Sequence, residues 1–300
     1  MPNSPPPARR VTRVIAPPPR HWVGDGFHVR SMFSYADDPV ETSPFLLLDY
    51  AAPMTFRPTR DRRGVGPHPH RGFETVTVAF AGEIEHRDSL GHHGRIGPGD
   101  VQWMTAASGV LHEELQTEAF SRAGGTLEMA QVWVNLPARR KTGPPAYQDL
   151  RAAAIPTVAL PGDAGDVRVI AGVFEGTRGP ARTATPVELW DVRLRGGREA
   201  VLPLPSGHTG LLLVTRGPVA VADGVEVDPE HLAVLSRDGE GVRVAAASDA
   251  RVLVLAGEPI DEPVVGRGPF VMNTWDEISQ AIHDLQDGRF GVLRSAMDAG

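Results

Sequence analysis

Short runs of alternating or apolar residues dominate the chain, and turn residues separate them. Between residues 11 and 136 these runs are FHVRSMFSY, PFLLLDY, ETVTVAF, GEIEHRD, DVQWMT and LEMAQVWVNL. Short strands at this spacing indicate an antiparallel β-barrel or sandwich. Similar runs resume after residue 165, as in VRVIAGVF, VELWDVRL, TGLLLVTRG and ARVLVLAG. The second half therefore resembles a second copy of the first half.

Three stretches depart from this strand pattern. Residues 1–10 are rich in Pro and are expected to be disordered, because they have too little apolar surface to offset their ordering entropy. Residues 137–165 are rich in Pro and charge, and we interpret them as a linker with one short helix at residues 148–153. In NTWDEISQAIHDLQDG, a capping box of Thr274 and Glu277 predicts an amphipathic helix that stops at Gly288. The predicted domains are residues 11–136 and 166–300, and the second carries the C-terminal helix.

Composition narrows the class of protein. The 300 residues are 41% hydrophobic and 22% charged, which is ordinary for a globular protein. The net charge of −7 disfavours a general nucleic-acid or anionic-membrane binder. The absence of cysteine excludes thiolate metal sites and cysteine nucleophiles. No apolar run approaches the roughly 18 residues of a membrane span, and the N-terminus does not read as a secretory signal, so we expect a cytoplasmic protein.

Two closely spaced pairs of side chains carry the candidate chemistry. GPHPHRGFETV places His68 and His70 one residue apart, directly before a predicted strand. SGVLHEEL supplies His112 and Glu114 at the same spacing. Because side chains alternate along a strand, each pair faces one side. Three neutral imidazoles and one carboxylate suit Fe(II), Mn(II), Ni(II), Cu(II) or Zn(II), and ligand type alone does not choose among these ions.

Other histidines and acids compete for the same role. A single histidine is most often a surface or hydrogen-bonded residue, and His86, His92 and His93 are rival candidates. His92 and His93 lie in SLGHHGRIG, which reads as an exposed hairpin tip. Glu113 alternates to the face opposite His112 and is expected to meet solvent.

The residues that follow His70 suggest a wall for an aromatic ligand. If the strand continues without a break, Glu74, Val76, Val78 and Phe80 share the face of His70. Together with Trp103 and Met104 from DVQWMT, the apolar members would form a flat pocket. The competing interpretation is that these side chains belong to the barrel core.

A long segment of the chain resembles a known family. GPHPHRGFETVTVAFAGEIEHRDSLGHHGRIGPGDVQWMTAASGVLHEE is similar to the signature region of the pirin family, which belongs to the cupin superfamily. PFLLLDY, QVWVNLP and LAGEPIDEPVVGRGPFVMNT are also pirin-like, and the resemblance runs from about residue 11 to residue 290. It implies an all-β protein with two cupin (jelly-roll type) β-barrels packed together and a short C-terminal α-helix.

The resemblance also implies one mononuclear divalent metal in the N-terminal barrel, most often Fe(II). The implied ligands are His68, His70, His112 and Glu114. Glu74 would then support the site without ligating the ion, and Arg71 and Glu74 would orient the ligands. When Gly217 is aligned with Gly82, Pro203 and Pro205 replace the first histidine pair, so the C-terminal barrel is expected to lack a metal.

Two functions from different classes follow from the resemblance. The first is a quercetin 2,3-dioxygenase reaction, in which a flavonol and O2 use the two positions that four protein ligands leave on an octahedral ion. Glu114 would take the proton of the 3-hydroxyl, and the ring would open with release of CO. The second is a non-catalytic, iron-dependent redox sensor that binds a protein partner. In both cases we expect a monomer without nucleic-acid or membrane contacts.

Overall fold

The fold consists mainly of β-strands in two compact units. The computed structural model describes residues 8–293. One unit comprises Pro19–Pro39, Phe45–Ala152 and the described residues from Ile260 onward, and we call it the N-terminal unit. The other, the C-terminal unit, comprises the described residues up to Pro18 together with Val40–Pro44 and Ala153–Pro259. No helix in the described part of the chain has the length and apolar character needed to cross a membrane.

Strands account for most of the regular structure up to residue 150. In chain order they are β1 (Val11–Ile15), β2 (His21–Val23), β3 (Phe27–Ser34), β4 (Phe45–Phe56), β5 (Gly64–His70), β6 (Phe73–Ala81), β7 (Ile84–Asp88), β8 (His93–Ile96), β9 (Val101–Thr105), β10 (Val110–Gln116), β11 (Gly125–Asn135) and β12 (Ala146–Leu150). Three short helices interrupt them: α1 (Pro39–Thr42), α2 (Glu118–Ala123) and α3 (Ala138–Lys141).

The remaining strands and the longest helix follow. The strands are β13 (Thr157–Ala159), β14 (Gly165–Ala171), β15 (Val173–Phe174), β16 (Thr177–Arg178), β17 (Val187–Leu194), β18 (Arg198–Pro203), β19 (Thr209–Arg216), β20 (Val219–Val221), β21 (Val225–Val227), β22 (Leu232–Leu235), β23 (Gly241–Ala246), β24 (Ala250–Gly257), β25 (Val265–Arg267) and β26 (Phe270–Met272). The helix α4 spans Trp275–Gln286, and its N-terminus has the predicted capping box of Thr274 and Glu277.

Both units are built from a seven-stranded and a four-stranded sheet. In the N-terminal unit the strand orders are β12-β9-β6-β11-β4-β3-β2 and β5-β10-β7-β8. In the C-terminal unit they are β1-β22-β19-β24-β17-β14-β13 and β18-β23-β20-β21. The two arrangements correspond strand for strand, which agrees with the repeat predicted from sequence. Buried apolar side chains fill each unit, for example Phe27, Ile84 and Met129 in one and Trp190, Leu212 and Val254 in the other.

The unit boundaries differ from the predicted domain limits. The segment assigned to a linker contains β12, which pairs with β9, and β13, which pairs with β14. Of the helix expected at residues 148–153, residues 148–150 belong to β12, where Gln148 lies opposite Trp103. The helical part is a 3-10 turn at Ala152–Ala154. Strand β1, placed by sequence in the first barrel, pairs with β22 of the C-terminal unit.

The chain termini also differ from expectation. Residues 1–7 of the predicted disordered tail lie outside the described residues. Arg9 is fully buried, and its side chain donates to the carbonyl oxygens of His208 and Ser236 at 2.8 and 3.1 Å. At the other end, α4 belongs to the N-terminal unit, where Ile278 and Ala281 pack with Phe270 and with Leu111, the neighbour of His112.

A buried lysine fixes the turn that follows His70. Lys141 is 1% exposed, and its Nζ donates to Gly72 O at 2.7 Å, Asn135 Oδ1 at 2.6 Å and Val271 O at 2.9 Å. Three ammonium hydrogens thus meet three acceptors. Burial lowers the pKa of Lys141 to about 7.

We expect Lys141→Met to destabilise the protein by about 3 kcal/mol, because it leaves three buried oxygen atoms without their donor. Denaturant unfolding measures this difference, and Arg139→Met on the exposed side of α3 is the matched control. Equal stability of the two variants would show that the lysine does not brace this turn.

Candidate metal centre

Two adjacent strands bring the three predicted histidines together. Strands β5 and β10 are antiparallel, with His68 opposite His112 and His70 opposite Val110. The ring centroids of His68 and His112 are 4.2 Å apart, and that of His70 lies 4.9 Å from His68 and 4.8 Å from His112. One ring nitrogen from each histidine lies within 4.8 Å of the others, so the three could hold a metal ion together.

Hydrogen bonds determine which ring nitrogens of His68 and His70 are free to bind a metal ion. His68 Nδ1 lies 2.8 Å from Gly66 O, and His70 Nδ1 lies 3.4 Å from Pro269 O. Since a carbonyl oxygen only accepts, both Nδ1 atoms carry the hydrogen and both Nε2 atoms keep a lone pair. Burial, reinforced by neighbouring His68, holds the pKa values of His70 and His112 well below their usual range. The imidazoles of His70 and His112 are therefore neutral, which is the form that binds a metal.

The Nε2 atom of His112 indicates whether a metal ion fits among the three histidines. His112 is fully buried, and its Nε2 has no hydrogen-bond partner within residues 8–293. A buried polar atom without a partner is costly, and coordination of a cation would satisfy it. The mixed set of imidazoles and a nearby carboxylate is also suitable for a divalent transition metal. The residues of this site therefore fit a bound ion.

Glu114 is held by two side chains from the neighbouring sheet. Its Oε1 accepts from Thr77 Oγ1 at 3.1 Å, and its Oε2 lies 3.4 Å from Gln131 Nε2. The single hydroxyl hydrogen of Thr77 is shared between Glu114 Oε1 and Gln131 Oε1, which lies 2.8 Å from Thr77 Oγ1, and this links the two supporting residues. Glu114 and His112 belong to a second group of potential ligands, in which the third member is His86. Sequence reasoning missed both Thr77 and Gln131.

The expected continuation of the His70 face into β6 is wrong. Thr77, not Val76 or Val78, reaches Glu114, so the face changes between β5 and β6. The change occurs at Gly72, which has a φ of +92°, and a Cβ there would lie 2.0 Å from Val271 O. The turn resets the alternation, and period-two counting cannot cross it.

Aromatic residues other than those predicted line the histidine cluster. The Phe73 and Trp133 rings stack with centroids 4.3 Å apart, and both lie 5.1 Å from the His70 ring. Tyr35 stacks on Trp133 at 6.4 Å. Trp133 is half-buried, so part of its ring is exposed. The predicted wall is wrong for Val76, Val78 and Phe80, since the even-numbered positions of β6 face away from Thr77, and for Trp103, which lies opposite Val76. Met104 lies opposite Thr75 and therefore shares the face of Thr77.

Arg71 and Glu74 do not orient the ligands as expected. Arg71 Nη1 donates to Asp284 Oδ2 of α4 at 2.6 Å. Glu74 Oε1 accepts from Thr105 Oγ1 at 2.7 Å. Burial raises the pKa of Glu74 to about 7, although the bond from Thr105 opposes the rise. Arg71 therefore links the site to α4, and Glu74 links β6 to β9.

The rival histidines separate into a buried one and two near the surface. His86 is fully buried, and its ring lies 5.3 Å from that of His112, which the sequence did not predict. His92 and His93 occur at the predicted β7–β8 hairpin, with side chains 40% and 60% exposed. Glu113 points away from the cluster, as expected, and pairs with Arg87 at 3.0 Å. The alternation of His86 and Asp88 in IEHRD is a signal that sequence reasoning left unused.

Both groups of three or more potential metal ligands found among residues 8–293 lie in the N-terminal unit. In the C-terminal unit, His208 Nδ1 lies 3.4 Å from Glu188 Oε2. His231 Nδ1 lies 3.1 Å from Pro229 O. Both histidines therefore have hydrogen-bond partners.

Each unit consists of a seven-stranded and a four-stranded antiparallel sheet, and the N-terminal unit carries a cluster of histidines with a glutamate. This fold and this site define a two-domain cupin protein. Comparison with family models matches residues 26–134 to pirin and residues 189–291 to the pirin C-terminal cupin domain. The chain belongs to the pirin family.

Similarity to individual proteins extends over nearly the whole chain. A Pseudomonas aeruginosa protein, provisionally named a quercetin 2,3-dioxygenase, is 55% identical over 94% of this chain and 98% of its own. Human pirin is 38% identical over 84% of each chain. The crystal structure of a quercetin 2,3-dioxygenase from Acinetobacter baumannii matches with a TM-score of 0.93 and 47% identity, covering 96% of this chain and all of that one.

Proposed function

We propose that the protein is a metal-dependent dioxygenase that opens the ring of a flavonol such as quercetin, using O2 and releasing CO. The observation that carries this proposal is the unpartnered, buried Nε2 of His112. His112 groups with His68 and His70 and, separately, with His86 and Glu114. The names of the Pseudomonas aeruginosa and Acinetobacter baumannii relatives support the choice of substrate class.

The proposed ligands are His68, His70, His112 and Glu114, and the proposed ion is a single Fe(II). Mn(II), Ni(II), Cu(II) and Zn(II) suit the same donor set. When bound, Fe(II) would supply Lewis acidity toward the flavonol 3-hydroxyl and carbonyl and the one-electron chemistry that dioxygen requires.

Glu114 is proposed to remove the proton of the 3-hydroxyl. Thr77 and Gln131 hold its two oxygen atoms in a fixed orientation, which limits the reorganisation that proton transfer requires. Loss of that proton makes the flavonol electron-rich and reactive toward dioxygen. Both oxygen atoms of O2 enter the substrate, and one ring carbon leaves as CO.

Trp133 is proposed to position the flat substrate. Its ring is backed by Phe73 and Tyr35 and lies against His70, so a planar aromatic molecule on its exposed part would lie near the ligand cluster. Stacking on a braced ring loses little conformational entropy.

Glu114→Gln is expected to lower flavonol turnover per bound metal by at least about 100-fold, because an amide cannot accept the proton. The decay of quercetin absorbance in air, normalised to measured metal content, gives this value. Glu113→Gln is the matched control, since Glu113 pairs with Arg87 and points away from the site. Turnover in Glu114→Gln equal to that of the wild type would remove Glu114 from the role of base.

A second candidate function is an iron-dependent redox sensor that acts through a protein partner. A row of rings leads from His112 to His86 at 5.3 Å, then to Tyr147 at 4.9 Å and to the partly exposed His92 at 5.4 Å. Such a row offers electron access without a substrate channel. Reversible Fe(II)/Fe(III) cycling in a protein that leaves quercetin intact would favour this candidate.

A further inference from the structure

A buried network lies behind His112, on the side where the ring nitrogen is Nδ1. Strand β7 pairs with β10, and it carries His86 and Asp88 on one face. His86 Nδ1 lies 3.4 Å from His112 Nδ1. His86 is fully buried, and Asp88 is also buried.

Asp88 determines where the hydrogen of His86 lies. Its Oδ1 accepts from the backbone N–H groups of Leu90 and His92 at 3.0 and 2.9 Å. Its Oδ2 lies 2.8 Å from His92 Nδ1 and 3.5 Å from His86 Nε2, the latter at the long end of hydrogen-bond distances. A carboxylate only accepts, so His86 carries its hydrogen on Nε2.

The single lone pair of His86 is therefore on Nδ1, where two neighbouring groups share it. Gln102 Nε2 lies 2.9 Å from His86 Nδ1 and donates to it. His112 Nδ1 is the second neighbour, and it must also carry a hydrogen to avoid two facing lone pairs. Nε2 of His112 then keeps its lone pair, and this is the buried atom without a partner within the described range 8–293.

The same network distinguishes between the two groups of potential ligands. His86, His112 and Glu114 bring one ligand atom each within 4.8 Å, as His68, His70 and His112 do. Both ring nitrogens of His86 already have hydrogen-bond partners. Stacking of Tyr147 on the His86 ring, with an interplanar angle of 19°, opposes the rotation that would release either nitrogen.

We propose that His86 is a positioning residue that holds the hydrogen of His112 on Nδ1 and so directs Nε2 toward the metal. The proposal rests on the metal site proposed above. Asp88 and Gln102 fix the ring state of His86, and His86 acts on the ion only through His112. Residues that orient a ligand in this way typically change metal affinity 10- to 100-fold when they are removed.

The first test uses the metal-free protein with 15N-labelled histidine. Long-range 1H–15N correlation spectra report the tautomer of each ring, and we expect Nδ1–H for His112 and Nε2–H for His86. A hydrogen on Nε2 of His112 would overturn the proposal. This spectrum needs neither metal nor substrate, so failure of the flavonol reaction leaves the test intact.

The second test measures Zn(II) affinity by competition with a chromogenic chelator. His86→Leu removes the acceptor, and we expect a 10- to 100-fold loss of affinity together with a changed His112 tautomer. His86→Asn places an amide oxygen near the position of Nδ1 and is expected to restore both readouts to within a few-fold of the wild type. His93→Leu, on the exposed side of β8, is the control. Affinity in His86→Leu equal to that of His93→Leu would contradict the positioning role.

Discussion

Replacing His70 by alanine is expected to lower metal affinity by at least about 100-fold. This loss exceeds the roughly 10- to 100-fold that is typical when a residue that only orients a ligand is removed. The reason is that His70 offers its Nε2 to the cluster, while its Nδ1 is directed to Pro269 O. His93→Ala is the matched control, because His93 lies on the same unit, is 60% exposed and pairs with Glu85. We expect its affinity to equal that of the wild type.

Metal content after loading and dialysis, with chelator competition for the dissociation constant, measures this effect. Both variants should keep the cooperative unfolding of the wild type, because the sheets around the site are filled by apolar side chains. Loss of cooperative unfolding in His70→Ala alone would count against a functional metal site and in favour of a structural histidine.

Glu74→Gln is expected to stabilise the protein by about 3 kcal/mol at pH 9 and by little at pH 5. The folded-state pKa of Glu74 is raised to about 7 by burial, whereas the unfolded chain ionises near 4.5. The fold therefore prefers the protonated carboxyl. Its contribution to stability is complete below pH 4.5 and is lost as the pH rises through 7. Glutamine stays neutral and keeps an oxygen for the bond from Thr105.

Urea unfolding of wild type and variant at each pH isolates this effect, because other groups titrate equally in both proteins. Glu226→Gln, at an exposed position of β21, is the control and should show no such pH dependence. If the free energy of unfolding of Glu74→Gln differed from that of the wild type by the same amount from pH 5 to pH 9, the raised pKa of Glu74 would be contradicted.

The local patterns of the sequence predict much of the fold. Alternating runs identify the all-β class and the repeat, and the capping box identifies α4. Strand β1 shows what such patterns cannot give: it pairs with β22, more than two hundred residues away. An edge strand of this kind carries no local signal for the sheet that it joins.

The candidate site shows the same division. The spacing of His68, His70 and His112 predicts imidazoles on shared strand faces, and the structure brings these three together. The prediction for the part of the wall formed by β6 is wrong because Gly72 resets the alternation before that strand. His86, Thr77 and Gln131 reach the site only through strand pairing, which a single sequence does not reveal.

The most direct test of the account is the amount of CO released per quercetin consumed. The protein is loaded with Fe(II) without oxygen, quercetin is added, and O2 is then admitted. We predict about one CO for each flavonol lost with the wild type, and none above background with His70→Ala. A fully loaded wild-type protein that leaves quercetin intact and releases no CO would contradict the dioxygenase proposal.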